Sequence, residues 1–209
     1  MAFKEGAKRI VDVLGSGVGL VVLSPIMAGA ALAIGLTMGR PIFFRQQRPG
    51  LGGEPFSLIK FRTMWPPDEG EEMIGNDEGR ITKVGGFLRA SSIDELPTLW
   101  NVLRGDMSLV GPRPLLMDYL PYFSDKQNRR HEVKPGITGW AQVNGRNAIG
   151  WDKKLDLDTW YVDNRSFWLD LKILWLTIAK VVKRDDITHE GHVAMPRFDE
   201  YVKEQRSGT

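Results

Sequence analysis

Two adjacent carboxylates, Asp94 and Glu95, offer the most direct chemistry in this 209-residue chain. Such a pair could supply a nucleophile, or oxygen ligands for a hard cation. They lie in Ser91-Ser92-Ile93-Asp94-Glu95-Leu96-Pro97-Thr98-Leu99-Trp100-Asn101. Ser92 with Glu95 three residues on has the form of a capping box. The spacing therefore predicts a helix from Ser92, with Pro97 within or close to its first turns. Both acids would then sit in a first turn, where the helix dipole favours negative charge. That capping reading stands beside the catalytic one.

The cations that could serve such a site are Lys60, Arg62, Arg89 and Arg113. Lys60 and Arg62 are two apart in a segment that reads as a strand, so they project from one face. They could receive phosphate there or line a solvated strand edge. Arg113 stands between Pro112 and Pro114. Both prolines have a fixed φ, and the second pushes Arg113 towards an extended backbone, so the guanidinium sits on a stiff stem. Its planar fork suits phosphate. An ordinary surface turn is the other reading.

Composition narrows the classes. Charged residues make up 26% and apolar residues 42%, as in an ordinary globular chain, and the formal net charge is only +2. Without a basic run, that charge points away from nucleic acid. The absence of cysteine removes disulfides, thiol nucleophiles and Cys-ligated zinc. Two of the three histidines, His189 and His192, fall in a stretch that reads as a polar tail rather than a metal site.

The elements that must position these residues are partly legible. Residues 10–38 form one long apolar stretch in which Asp12 is the only charge. As a straight helix it would run ~43 Å. Ser24-Pro25 falls in its middle, where the proline bends or breaks the helix. Each arm then runs ~21 Å, too short for a ~30 Å hydrocarbon core. Lys4, Lys8 and Arg9 precede the stretch and Arg40, Arg45 and Arg48 follow it. Basic flanks prefer the cytoplasmic side, so both ends are expected on one face. A re-entrant helix–break–helix is the favoured arrangement. A kinked spanning helix and a buried core helix are the alternatives. Ser24 is expected to bond a carbonyl freed by the proline.

Residues 41–64 read as a β-hairpin around Pro49-Gly50-Leu51-Gly52-Gly53. Residues 66–79 read as an acidic loop. Residues 134–146 read as a hairpin or a ligand-facing loop. Residues 155–162 and 166–184 read as helices. The second has Trp168, Leu171, Leu174, Trp175, Ile178 and Val182 at helical spacing, and suits a membrane surface or the protein's own core equally.

Taken in order, Lys60-Phe61-Arg62-Thr63-Met64, Asp94-Glu95-Leu96-Pro97, Gly111-Pro112-Arg113-Pro114 and Pro135-Gly136-Ile137-Thr138-Gly139 resemble the small monotopic phosphoglycosyl transferases, the bacterial sugar transferase family. Asp158…Tyr161-Val162…Leu169-Asp170-Leu171-Lys172 and the Ser24-Pro25 break extend the resemblance over nearly the whole chain. It is greatest to members that start glycoprotein glycan assembly, such as the diacetylbacillosamine phosphate transferases.

The resemblance implies an α/β, mostly helical monotopic fold with a small sheet. Residues 1–40 would form the membrane hairpin broken at Ser24-Pro25. Residues 41–209 would form a cytosolic catalytic domain with interfacial helices at the inner membrane. It implies that Asp94 attacks a UDP-sugar, with an N-acetylated amino sugar preferred, and releases UMP. Undecaprenyl phosphate then takes the sugar phosphate, and Glu95 binds Mg²⁺. Lys60, Arg62, Arg89, Arg113, Arg146 and Asp158 would lie on the substrate side, with Asp158 and Asp170 structural or near the site. Membrane lipids and downstream glycosyltransferases are the implied partners, and nucleic acid is not. Two other classes compete: a hydrolase using the same carboxylate, and a membrane scaffold with no catalysis. Convergence of Lys60, Arg89 and Arg113 on Asp94 would count against the scaffold.

Overall fold

Proline 25 sets the shape of the N-terminal segment. In the computed structural model, which describes residues 2–66, 79–145, 149–183 and 197–207, helix α1 (Ala2–Val22) meets helix α2 (Ser24–Met38) at a bend of 59°. The proline has no N–H, so the carbonyl four residues before it loses its helical donor. That carbonyl belongs to Val21, and Ser24 Oγ donates to it at 2.7 Å. The serine thus does what its position suggested. Among the described residues no single helix is long and apolar enough to cross a membrane, and only the two bent helices taken together have that length and apolarity.

Both arms are tied to the rest of the chain. On α2, Ala30, Ile34 and Met38 recur every four residues and are buried with Phe61 and Leu88. On α1 the ties are polar. Arg9 donates to the carbonyls of Val102 (2.6 Å) and Leu103 (2.7 Å) near the end of helix α4 (Thr98–Arg104). Lys8 reaches Asp170 at 2.6 Å and the Val110 carbonyl at 3.0 Å. Asp12, only 4% exposed, accepts from Ser108 Oγ at 3.0 Å and Leu109 N at 2.9 Å. A buried carboxylate on an apolar helix would be costly without such partners. The outward faces keep Ile10, Leu14, Val18, Ile26, Leu32 and Leu36 exposed.

The expected hairpin forms. Strands β1 (Phe43–Pro49) and β2 (Pro55–Phe61) are antiparallel, in register from Phe43↔Phe61 to Pro49↔Pro55. A 3₁₀ turn at Leu51–Gly53 joins them, with Gly52 and Gly53 at positive φ. Of the two readings for 134–146, a hairpin or a ligand-facing loop, the hairpin does not form among the described residues. Strand β4 (Gly136–Thr138) instead pairs parallel with β3 (Ser108–Val110). A side chain on Gly136 would collide with the backbone of Gly111, so glycine is required at this close approach. Short helices α5 (Asp125–Asn128) and α6 (Trp140–Val143) flank β4.

Helix α3 (Lys83–Ala90) precedes the carboxylate pair. Helices α7 (Trp151–Asn164) and α8 (Phe167–Lys183) fall where helices were expected. On α8, Ile173 is fully buried, and Leu169, Leu174 and Leu176 pack on the same core. Trp168, Trp175 and Ile178 face outwards, so only part of the expected apolar stripe serves the core. Helix α9 (Phe198–Ser207), not anticipated from sequence, buries Phe198 among Tyr119, Phe123 and Trp151. The acidic residues 67–78 and the His189–His192 stretch lie outside the described residues.

His131 is buried beside Phe123, and its Nδ1–H donates to Asn128 Oδ1 at 2.9 Å. Burial first, then the charge of Arg130, pushes its imidazole down from 6.5 to about 4. The folded protein therefore holds a neutral ring that the unfolded chain protonates more readily. This contribution is complete above about pH 6.5 and is lost as pH falls towards 4. Between pH 7.5 and 5 the loss should be roughly 2 kcal/mol. Thermal unfolding at both pH values should show a steeper drop for the wild type than for His131→Gln; equal drops would contradict the assignment.

Candidate active site

A left-handed residue sets up the carboxylate pair. Thr82 Oγ1 accepts from Gly85 N at 2.9 Å and caps α3. After α3 ends, Ser92 adopts φ 55°, an uncommon conformation for a non-glycine residue. The chain turns there into a single 3₁₀ turn, Ile93–Glu95, and α4 begins only at Thr98 behind Pro97. The expected capping box does not form. An N-cap residue needs an extended backbone, which Ser92 lacks, and its side chain caps nothing. Asp94 and Glu95 thus precede the helix rather than occupy its first turn.

The Glu95 carboxylate turns to two cations. Lys60 Nζ donates to Oε1 at 2.7 Å, and Arg113 donates to Oε1 at 2.5 Å and to Oε2 at 3.4 Å. Lys60 sits near the end of β2, opposite Phe44. Arg113 follows β3 between buried prolines. The side chains of Glu95, Lys60 and Arg113 are 20%, 21% and 43% exposed, so the cluster opens to solvent on the Arg113 side. Burial alone would raise the Glu95 carboxyl, but Arg113 and then Lys60 more than offset it and hold the group well below the usual carboxylate range. Asp94 moves the other way. Burial and the neighbouring Glu95 raise it, and Lys60, Arg89 and Arg113 oppose them. Burial and Arg113 pull Lys60 down.

Lys60 and Arg113 therefore meet on Glu95, and Arg89 is near enough to Asp94 for its charge to oppose the rise of that carboxyl. Arg89, in the last turn of α3, donates from Nε to Thr63 Oγ1 at 3.0 Å. Arg62 does not join them. The strand ends at Phe61, and the Arg62 guanidinium turns to the end of α2, donating to the carbonyls of Met38 (2.5 Å) and Gly39 (2.8 Å). Strand periodicity stops holding where the strand stops. Asp158, placed by the resemblance on the substrate side or in a structural role, takes the structural one. It is buried in α7 and paired with Arg130 at 2.8 Å. Arg146 lies outside the described residues. Asp170 accepts from Lys8 and Tyr161 and is structural.

Sequence reasoning missed Arg130 and Asp12. Arg129 beside Arg130 pairs with Asp163 and Glu132 at the surface, and no local pattern separates the two arginines. Asp12 did carry a signal, as the one charge in an apolar run.

Among the described residues no group of three or more metal-ligating side chains occurs. Asp94 and Glu95 nevertheless supply hard oxygen donors. They fit Mg²⁺ in its usual form, with one or two carboxylates and the rest of the shell from phosphate and water.

Two cations gathered on Glu95 beside Asp94 form a charged, partly open cluster on a domain tied to a broken apolar helix. Residues 3–184 match the family model described as bacterial sugar transferase. The chain belongs to that family. It is 56% identical to the uncharacterized sugar transferase EpsL of Bacillus subtilis over 191 residues, covering 91% of this chain and 95% of that one. It is 41% identical to the UDP-glucose:undecaprenyl-phosphate glucose-1-phosphate transferase of Caulobacter vibrioides, covering 86% of this chain and 71% of that one. It is 38% identical to the undecaprenyl-phosphate galactose phosphotransferase of Salmonella typhimurium, covering 85% of this chain and 41% of that one.

Glu95 occupies the two cations that an anionic ligand would need. Glu95→Gln removes that competitor with little change of shape. One unit charge at roughly 4 Å is worth on the order of 1–4 kcal/mol. Inorganic pyrophosphate without divalent metal should therefore bind Glu95→Gln about tenfold tighter by isothermal titration calorimetry. Unchanged or weaker binding would contradict this competition.

Proposed function

We propose that the chain transfers a sugar 1-phosphate from a UDP-sugar to undecaprenyl phosphate and releases UMP. In the first step an Asp94 carboxylate oxygen attacks the β-phosphorus. The bond to the bridging oxygen breaks, and UMP leaves with its electron pair. In the second step a phosphate oxygen of undecaprenyl phosphate attacks the same phosphorus. The bond to Asp94 breaks, giving the undecaprenyl diphosphosugar and restoring the carboxylate. Splitting one displacement into two is the general use of a carboxylate nucleophile.

The single observation that carries this reading is the meeting of Lys60 and Arg113 on Glu95, directly beside Asp94. Phosphoryl transfer depends on positioning and charge neutralisation more than on acid–base chemistry. The diphosphate would take over Lys60 and Arg113 from Glu95, whose carboxylate is then free for Mg²⁺. The bound metal would supply further neutralisation of phosphate charge. The resemblance favours an N-acetylated amino sugar; the named relatives act on UDP-glucose or carry galactose in their names.

We further propose that α1 and α2 form a re-entrant hairpin on the cytoplasmic face of the inner membrane. Supporting this, both ends of the pair are held by the same domain. Arg9 and Asp12 fix the start, and Arg62 fixes the end. Helix α2, at 15 residues, reaches only ~22 Å. The outward Trp168 and Trp175 of α8 suit the interfacial region that such a hairpin would hold close. This arrangement would present Asp94 to a soluble donor and a lipid acceptor together.

The test uses the full chain in lipid nanodiscs with UDP-glucose, UDP-galactose and UDP-N-acetylglucosamine. One donor should release UMP in proportion to lipid-linked product, and only with undecaprenyl phosphate present in catalytic turnover. Asp94→Asn should stay folded and membrane-bound, yet lose at least about a thousandfold in turnover. Near wild-type turnover in that variant would refute the role of Asp94. Continuous UMP release without the lipid acceptor would instead establish a hydrolase.

A further inference from the structure

Arg113 is held from behind by a buried ion pair. The Arg130 and Asp158 side chains are 2% and 3% exposed. Asp158 Oδ2 accepts from Arg130 Nη2 at 2.8 Å and from its Nε at 3.2 Å. The same Nη2 donates to the backbone carbonyl of Arg113 at 2.6 Å. Arg48 Nη1 lies 3.5 Å from the next carbonyl, that of Pro114. Pro112 and Pro114 stiffen the segment, but stiffness alone does not say where it points. The bond from Arg130 supplies that direction.

A buried ion pair is weak evidence for a role in stability. Two charges taken out of water lose hydration that their attraction barely restores, and well-packed apolar replacements are often as stable or more so. Lysine could not reproduce the contact, because only a guanidinium fork holds a carboxylate and a carbonyl in one rigid plane.

We propose that Arg130, oriented by Asp158, is a positioning residue that fixes the Arg113 backbone so that its guanidinium meets the substrate diphosphate. The proposal rests on the reading that Arg113 receives phosphate. Arg130 itself touches neither Glu95 nor Asp94 in any hydrogen bond among the described residues.

The test is a mutant cycle on the full chain in detergent, with UDP as the probe. The paired replacement Arg130→Met with Asp158→Leu should fold with a Tm at or above that of the wild type. It should nevertheless bind UDP about tenfold more weakly by calorimetry. In an Arg113→Ala background the same paired replacement should cost less than about twofold further, because its target is already gone. Wild-type affinity in the paired variant would overturn the proposal, as would a full additive loss on top of Arg113→Ala. Failure of the paired variant to fold would assign the pair to stability and overturn it as well. If Arg113→Ala alone leaves UDP binding unchanged, the phosphate reading of Arg113 falls, and this proposal falls with it.

Discussion

One carboxylate shared between two cations organises this site. Glu95 comes from a 3₁₀ turn, Lys60 from the end of β2, and Arg113 from the segment after β3. Three stretches distant in sequence thus meet on a few oxygen and nitrogen atoms. The geometry separates the two neighbouring acids. Glu95, in direct contact with the cations, is held low, while Asp94, buried beside another negative charge, is raised. Pairs of acids driven apart by their surroundings are how one site assigns two jobs to the same functional group. The Glu95 pairing is present above the ordinary carboxylate pKa and is lost only as pH falls through its depressed value.

The same cluster links the site to the bent helices. Residues Arg9 and Asp12 of α1 hold the end of α4 and the edge of β3, the two elements that flank the Glu95 turn and the Arg113 segment. At the other end of the hairpin, Arg62 joins the close of α2 to the strand carrying Lys60. A shift of either helix would therefore be felt where the cations meet. For a reaction that joins a soluble donor to a lipid acceptor, as proposed, such coupling would set the depth of the chemistry along with that of the proposed hairpin.

Much of this was legible in the sequence because the deciding interactions were local. Pro25 broke the helix through a missing N–H, and the Pro49–Gly53 cluster closed the β1–β2 hairpin. Gly111-Pro112-Arg113-Pro114 announced a stiffly held arginine. The failures came where a distant partner decided the outcome. Ser92 and Glu95 have the residue types of a capping box, but Lys60 and Arg113 engage the glutamate, and Ser92 turns left-handed. Lys60 and Arg62 share a strand face by counting, yet the α2 carbonyls attract Arg62 away. Residues 136–138 pair with β3 across a gap of more than 20 residues, which no turn signal encodes. The resemblance left Asp158 between a structural and a site role, and only its buried partner Arg130, which no local pattern marks, decides for the structural one.

The proposed chemistry requires a phosphorus–oxygen bond to a single side chain. Intact-mass spectrometry of the full chain with its UDP-sugar donor and no lipid acceptor should show a gain of one sugar phosphate. Peptide mapping should place it on Asp94, and adding undecaprenyl phosphate should discharge it. Protein that stays unmodified under these conditions while still forming lipid-linked product when acceptor is supplied would contradict the covalent route.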